Sequence, residues 1–225
     1  MTMHVGKDQP LEILTAGEPS CRPPLLFVHG AFCGAWIWAE HFLPFFAEAG
    51  FRCIAVSLSG HGRSAGRKQL DSFGLADYVA DVAAASAGLD PPPVVVGHSM
   101  GGVVAQRFVQ RHPASGLVLL ASASFAGLSG AVMNMALGRP ALLLALTRVQ
   151  SRGVEPSDYA PIRKGLFSEN FPVDRATRYA ALFQRESMRA NLELLAPQWL
   201  EMMRRPRPIA FRVLGSTPKG DAMVF

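Results

Sequence analysis

Val94-Val95-Val96-Gly97-His98-Ser99-Met100-Gly101-Gly102 is the stretch on which the fold turns. Three β-branched residues in a row suit a strand buried on both faces. Val103 to Arg111 then reads as helix and stops before Pro113. The join is a single sharp strand-to-helix bend with Ser99 at its apex. In such a bend the residues two before and two after the serine approach each other, which demands little or no side chain. Gly97 and Gly101 meet that demand, and Gly102 lets the helix pack close to neighbouring backbone. A serine hydroxyl is a poor nucleophile until something positions it and removes its proton. The bend supplies the first of these.

Working outward, strand-like and helix-like segments alternate on both sides. Leu25 to Val28 is a short apolar strand running into His29-Gly30, and Trp36 to Ala49 is helix-compatible. Phe51 to Leu58 is a second strand, and SGHGRS at 59–64 is a glycine-rich turn. Asp71 to Ala87 carries Leu75, Val79 and Val82 at helical spacing, with Asp77 and Asp81 off that stripe. Pro91-Pro92-Pro93 breaks the chain before the central strand, and Gly116 to Ala123 is a fourth. The expected class is α/β, with a mostly parallel central sheet flanked by helices. Between Ser124 and Pro208 the rhythm gives way to helix-like sequence, including Leu142 to Gln150 and Arg175 to Leu195. Helices inserted between two sheet strands read as a lid. The expected organisation is therefore a core of residues 1–123 and 209–225 and a helical lid over 124–208, with Ile209 to Gly215 resuming the sheet.

Composition narrows the function. Apolar residues make up 49% of the 225 and charged residues 17%, enough for a sizeable core. The formal charge of +5 comes from scattered arginines without interleaved aromatics, so no nucleic-acid partner is expected. The three cysteines, at 21, 33 and 53, form no CxxC pair, which argues against a disulfide scaffold or a zinc site. Ala131 to Thr147 is apolar but is interrupted by Asn134, Arg139 and Pro140, short of the ~20 residues a membrane span needs. The first residues contain no signal-type apolar stretch, so the cytoplasm is the default expectation. No metal or organic cofactor is expected.

Taken together, HGAFCGAW at 29–36, SGHGRS at 59–64, GHSMGG at 97–102 and VLGSTPKGD at 213–221 resemble the α/β-hydrolase superfamily, in its lidded esterase and lipase-like branch. The resemblance covers almost the whole chain. It implies that Ser99 is the nucleophile of a serine hydrolase and Asp221 the acid of its triad, although the stretch from Gly215 to Asp221 is a few residues longer than usual. It also implies an oxyanion hole made by the backbone N–H groups of Met100 and Ala31, with Phe32 as the alternative to Ala31. Phe32 and His98 are placed on the substrate side. The family's histidine follows the last strand, and no histidine stands beyond His112 here, so the base is expected beyond residue 225 with a last strand and helix. Without it the residues given are expected to be inactive.

The six histidines present have other readings. His98 packs beside or supports the site, His29 orders the loop after the first strand, and His61 is a turn residue near the entrance. Cys33 reads as a small buried hydrophobe. Trp36 and Trp38 either line an acyl pocket or pack the core. Met133, Met135, Leu142, Leu143 and Leu144 give a lid an apolar underside, whether it touches substrate or only the sheet. The expected activity is hydrolysis of small or medium hydrophobic esters through an acyl-enzyme. The rivals are C–C bond hydrolysis or other carbonyl chemistry, a cofactor-free haloperoxidase-like reaction, and a non-catalytic ligand-binding protein.

Overall fold

A computed structural model describes residues 2–6, 9–123, 127–196 and 213–216, with side chains described only between residues 10 and 196. Its strands are β1 (Thr2–Gly6), β2 (Gln9–Ala16), β3 (Leu25–Val28), β4 (Cys53–Val56), β5 (Val94–His98), β6 (Gly116–Leu120) and β7 (Val213–Ser216). They form one sheet in the order β1-β2-β4-β3-β5-β6-β7. β3 to β7 run parallel, whereas β1 pairs antiparallel with β2, and β2 with β4. The sheet is thus mixed, with a parallel centre. The antiparallel edge has a sequence signal in the alternation of Leu11 and Ile13, which are buried.

Period-two alternation explains how the centre is covered on both faces. Leu26, Val28, Ile54, Val56 and Val95 face one layer with α3 (Leu75–Ser86) and α4 (Met100–Val109). Phe27, Cys53, Ala55 and Val96 face the other, with Trp38 of α1 (Trp36–Ala39) and Leu43 of α2 (Phe42–Glu48). The single helix expected over 36–49 is therefore two. Pro44 lacks an N–H and its ring collides with a carbonyl four residues back, so one helix cannot run through Glu40. β3 and β5 are neighbours, and the chain leaves β3 towards β4 on one side but β5 towards β6 on the other. A crevice opens at such a point beyond the carboxyl ends of the strands. That is where the loop after β3 and the bend after β5 meet.

Five helices separate β6 from β7 among the described residues: α5 (Ser129–Gly138), α6 (Pro140–Arg152), α7 (Pro156–Leu166), α8 (Val173–Ala180) and α9 (Met188–Leu195). They are the lid-like insertion. Leu142, Ala145, Val149, Ile162, Leu166, Ala176 and Phe183 bury against one another and against Cys33 of the core. The continuous helix expected over 175–195 is interrupted at 181–187, a segment whose polar groups bond to the core instead. The apolar stretch 131–147 is divided between α5 and α6 at Arg139-Pro140. No helix among the described residues is long and apolar enough to cross a membrane. Asp221 and residues 209–212 of the strand expected over 209–215 lie outside the described residues.

Candidate active site

Ser99 has φ 51° and ψ −118°, a conformation that L-residues rarely adopt. Strain of this kind costs on the order of 1–3 kcal/mol and persists only where the surroundings enforce it. Here the Ser99 N–H donates to the Leu120 carbonyl (3.0 Å), while the Ser99 carbonyl accepts from Gly102 (3.0 Å) and Ala123 (3.2 Å). The bend is therefore anchored to the end of β6 on one side and to α4 on the other.

The glycines act as the sequence predicts. A Cβ on Gly97 would strike the Gly101 carbonyl oxygen, and one on Gly101 would strike the Val28 and His29 carbonyl oxygens. These obstacles are backbone and cannot swing away. Gly101→Val is accordingly expected to lower unfolding free energy by about 3 kcal/mol or more, within the range of severe overpacking. Urea denaturation measures it, and a variant as stable as the parent would show that the bend relaxes freely. Gly30 is constrained less severely and by side chains, since its Cβ would lie 3.1 Å from the Ser99 Cβ and 2.8 Å from His98 Nδ1. Backbone after β3 thus passes directly against the serine.

Buried polar groups hold that loop in place. The Leu58 N–H donates to His29 Nε2 (3.0 Å), which makes Nδ1 the protonated nitrogen and lets it donate to the Gly30 carbonyl (2.8 Å). Ser57 Oγ accepts from the Ala35 N–H (2.9 Å) and donates to Glu12 (2.8 Å). Burial opposes charge on Glu12, but Arg63 and Ser57 outweigh it and hold the carboxyl below its ordinary range. His29 orders the loop, as its position suggested.

Ala31, Phe32, His98, Ser99 and Met100 all line one cavity of about 460 Å³. The structure therefore brings together every predicted site residue except Asp221, which lies outside the described residues. Met100 opens α4, and the first N–H groups of a helix have no intrahelical acceptor. Phe32 has φ 65°, and its carbonyl accepts from the Gln184 N–H of the insertion (2.9 Å). The rest of the lining is mostly apolar and comes from the insertion, including Leu128, Val132, Met135, Leu143, Leu146 and Leu194. Of the underside expected for the lid, Met135 and Leu143 reach the cavity, Leu142 is buried within the insertion, and Met133 and Leu144 are exposed. Trp38 packs the core, whereas Trp36 lies against Tyr179 and Phe183 rather than in this cavity. Cys33 is buried, and burial pushes its thiol well above the ordinary range.

Sequence reasoning missed a second polar centre. His61 Nε2 lies 3.0 Å from Glu186 Oε2, with both side chains fully buried. Tyr78 donates to Glu186 Oε1 (2.7 Å), as does the Ser187 N–H (2.7 Å). Burial raises the Glu186 carboxyl, but His61 and the donated hydrogen bonds outweigh it and leave it lowered. Around this centre, Gln184 accepts from the Gly62 N–H and from Arg67 (both 3.0 Å), Arg185 pairs with Asp71 (2.7 Å), and Glu193 accepts from the Leu75 N–H at the start of α3 (2.9 Å). Residues 184–193 form a strap on the core.

The buried histidines make stability pH-dependent. Burial, with the neighbouring His61, pushes His29 down to about 3, and burial pushes His98 to about 4. An unfolded histidine takes up its proton near 6.5, so acidification favours the unfolded chain. The stabilisation is complete above about 6.5 and is lost towards the folded value, by up to about 1.4 kcal/mol per pH unit for each group. Asp81, which burial raises to about 6, works in the opposite direction over a narrower span. The melting temperature is expected to fall between about pH 6.5 and 4, and His29→Gln should flatten that fall. A midpoint rising on acidification would contradict this.

Comparison with known proteins agrees with the geometry. Residues 25–224 match the Alpha/beta hydrolase family. The chain is 40% identical over 92 residues to a non-heme haloperoxidase of Rhodococcus erythropolis, a match covering 40% of this chain and 32% of that one. It is 36% identical over 86 residues to protein phosphatase methylesterase 1 of Bos taurus, covering 37% and 23%. These alignments span a third or less of the curated relatives' length. Among solved structures, Rv0554 from Mycobacterium tuberculosis has a TM-score of 0.66 at 27% identity, covering 92% of this chain and 74% of that one. A non-heme bromoperoxidase, BpoC of M. tuberculosis H37Rv, has a TM-score of 0.67 at 25% identity, covering 94% and 77%. With its serine at a strained strand-to-helix bend over the carboxyl ends of a parallel sheet, and nearly all of its length matched, the chain belongs to the alpha/beta hydrolase family.

Proposed function

We propose that the protein is a serine hydrolase that cleaves carboxylic esters of small or medium hydrophobic acyl groups through an acyl-enzyme. The observation that carries this reading is Ser99, held in a strained bend and lining an apolar cavity of about 460 Å³. That volume lies within the range of about 300–1,000 Å³ common for small-molecule sites. In this reading residues 124–208 act as the lid on a core of residues 1–123 and 209–225.

The Ser99 hydroxyl attacks the ester carbonyl carbon as its proton passes to a histidine supplied after residue 225, which Asp221 orients. The N–H groups of Ala31 and Met100 receive the negative oxygen. Collapse of the tetrahedral adduct breaks the carbon–oxygen bond, and the histidine returns the proton to the departing alcohol. Water, deprotonated by the same histidine, then attacks the acyl carbon and releases the acid. His98 and Phe32 bound the acyl group. His98 is suited to a neutral wall, since burial holds it at about 4.

A fluorophosphonate, which esterifies activated serines, tests this on the full-length protein. Covalent labelling at Ser99 together with turnover of p-nitrophenyl esters is the expected result. No label and no turnover would sink the assignment. A second reading, haloperoxidase-like chemistry, draws on the 40% identity to the Rhodococcus erythropolis protein. It predicts bromination with bromide and peroxide at a rate exceeding ester turnover.

A further inference from the structure

Apart from His98 and Ser99, the polar lining of the cavity comes from α6 and α9, as Thr147, Gln150 and Asn191. The hydrogen bonds there fix which way each amide points. Gln150 Nε2 donates to the Glu186 backbone carbonyl (2.7 Å), and a carbonyl can only accept. Gln150 must therefore turn its oxygen to Asn191, whose Nδ2 donates to it (2.9 Å). Asn191 is left with its Oδ1 as an acceptor that no described protein group satisfies. Thr147 extends the pattern, since its hydroxyl hydrogen is committed to the Leu143 carbonyl (2.9 Å) and leaves the oxygen to accept. The chain of bonds begins at the backbone of Glu186, the residue that His61 and Tyr78 lock to the core. The acceptors consequently stand on a fixed base.

We propose that Gln150 and Asn191 form a specificity subsite for a hydrogen-bond donor on the substrate, a hydroxyl or amide N–H set apart from the reacting carbonyl by apolar chain. This rests on Ser99 being the nucleophile of an ester hydrolase. The substrate class is then a hydroxylated hydrophobic ester or lactone. Asn191 specifies the donor, and Gln150 is a positioning residue that holds the Asn191 amide in register. A wholly apolar pocket disfavours a hydroxylated acyl chain, because the hydroxyl leaves water without a partner. A free acceptor that the bound substrate shields from water reverses that preference, because it is left unpaired unless the substrate brings a donor.

The test compares p-nitrophenyl hexanoate, octanoate and decanoate with their ω-hydroxy counterparts on the full-length protein. At the best chain length, kcat/KM for the hydroxy ester is expected to exceed that of the plain ester. Asn191→Leu is expected to lower this ratio at least tenfold. Ester turnover with the plain ester preferred at every length, or a ratio indifferent to Asn191→Leu, would overturn the subsite and leave the hydrolase reading intact. Failure to turn over any of the esters would remove both. The wild-type ratio decides the matter even if the variant does not fold.

Discussion

Ser99→Ala in the full-length protein is expected to abolish fluorophosphonate labelling and to reduce ester turnover by about 10⁴-fold or more, the scale seen when a nucleophile that acts with its base is removed. Loss of one oxygen leaves the rest of the site in place. The bonds that hold the bend are made by the backbone of residue 99, to Leu120, Gly102 and Ala123. Its side chain contributes nothing to them. The variant should therefore melt close to the parent, and this separates a chemical loss from a structural one. Retention of more than about a tenth of the activity would mean that another group performs the attack.

The second large effect falls far from Ser99 in sequence and concerns stability. Glu186 is fully buried and faces His61 at 3.0 Å, with Tyr78 and the Ser187 N–H on its other oxygen. Removing the acid leaves the His61 imidazole, the Tyr78 phenol and the Ser187 N–H in a dry interior without their acceptor, at about 1–3 kcal/mol each and about 3–5 kcal/mol together. Glu186→Ala should lower the free energy of unfolding by that amount in urea titrations. Replacing the acid by glutamine keeps an acceptor for Tyr78 and should cost less. A Glu186→Ala variant within about 1 kcal/mol of the parent would show that the pair is not needed to fasten the strap.

These two sites differ in how visible they are along the chain. The bend at Ser99 is a local event, written in contiguous residues as β-branched strand, spaced glycines and helix. The glycine clashes and the positive φ follow from that order alone. The core strands are legible for the same reason, since each is a short apolar run between breakers. The antiparallel strands β1 and β2 are less so, because in β2 Leu11 and Ile13 alternate with polar residues and a proline and give only a weak period. Long-range polar pairing leaves no trace in sequence. His61 between two glycines reads as a turn, and Glu186 lies unremarked within the helix-like stretch 175–195, yet 125 residues apart they meet in the interior. The break at 181–187 is hidden in the same way, since tertiary bonds to Phe32, Gly62 and Asp71 override local helical preference. Asn191 and Gln150 show only ordinary helical amides until the fold places them on one cavity.

The strap also limits how this scaffold can be re-engineered. A helical insertion transplanted here from another family member would have to bring an acid matched to His61 and Tyr78, or the core would keep an imidazole and a phenol facing an empty interior. Conversely, residues 184–193 moved to a foreign core would carry a buried carboxylate without its donors. Helical caps on this scaffold are therefore interchangeable only as matched sets, with positions 61, 78 and 186 travelling together.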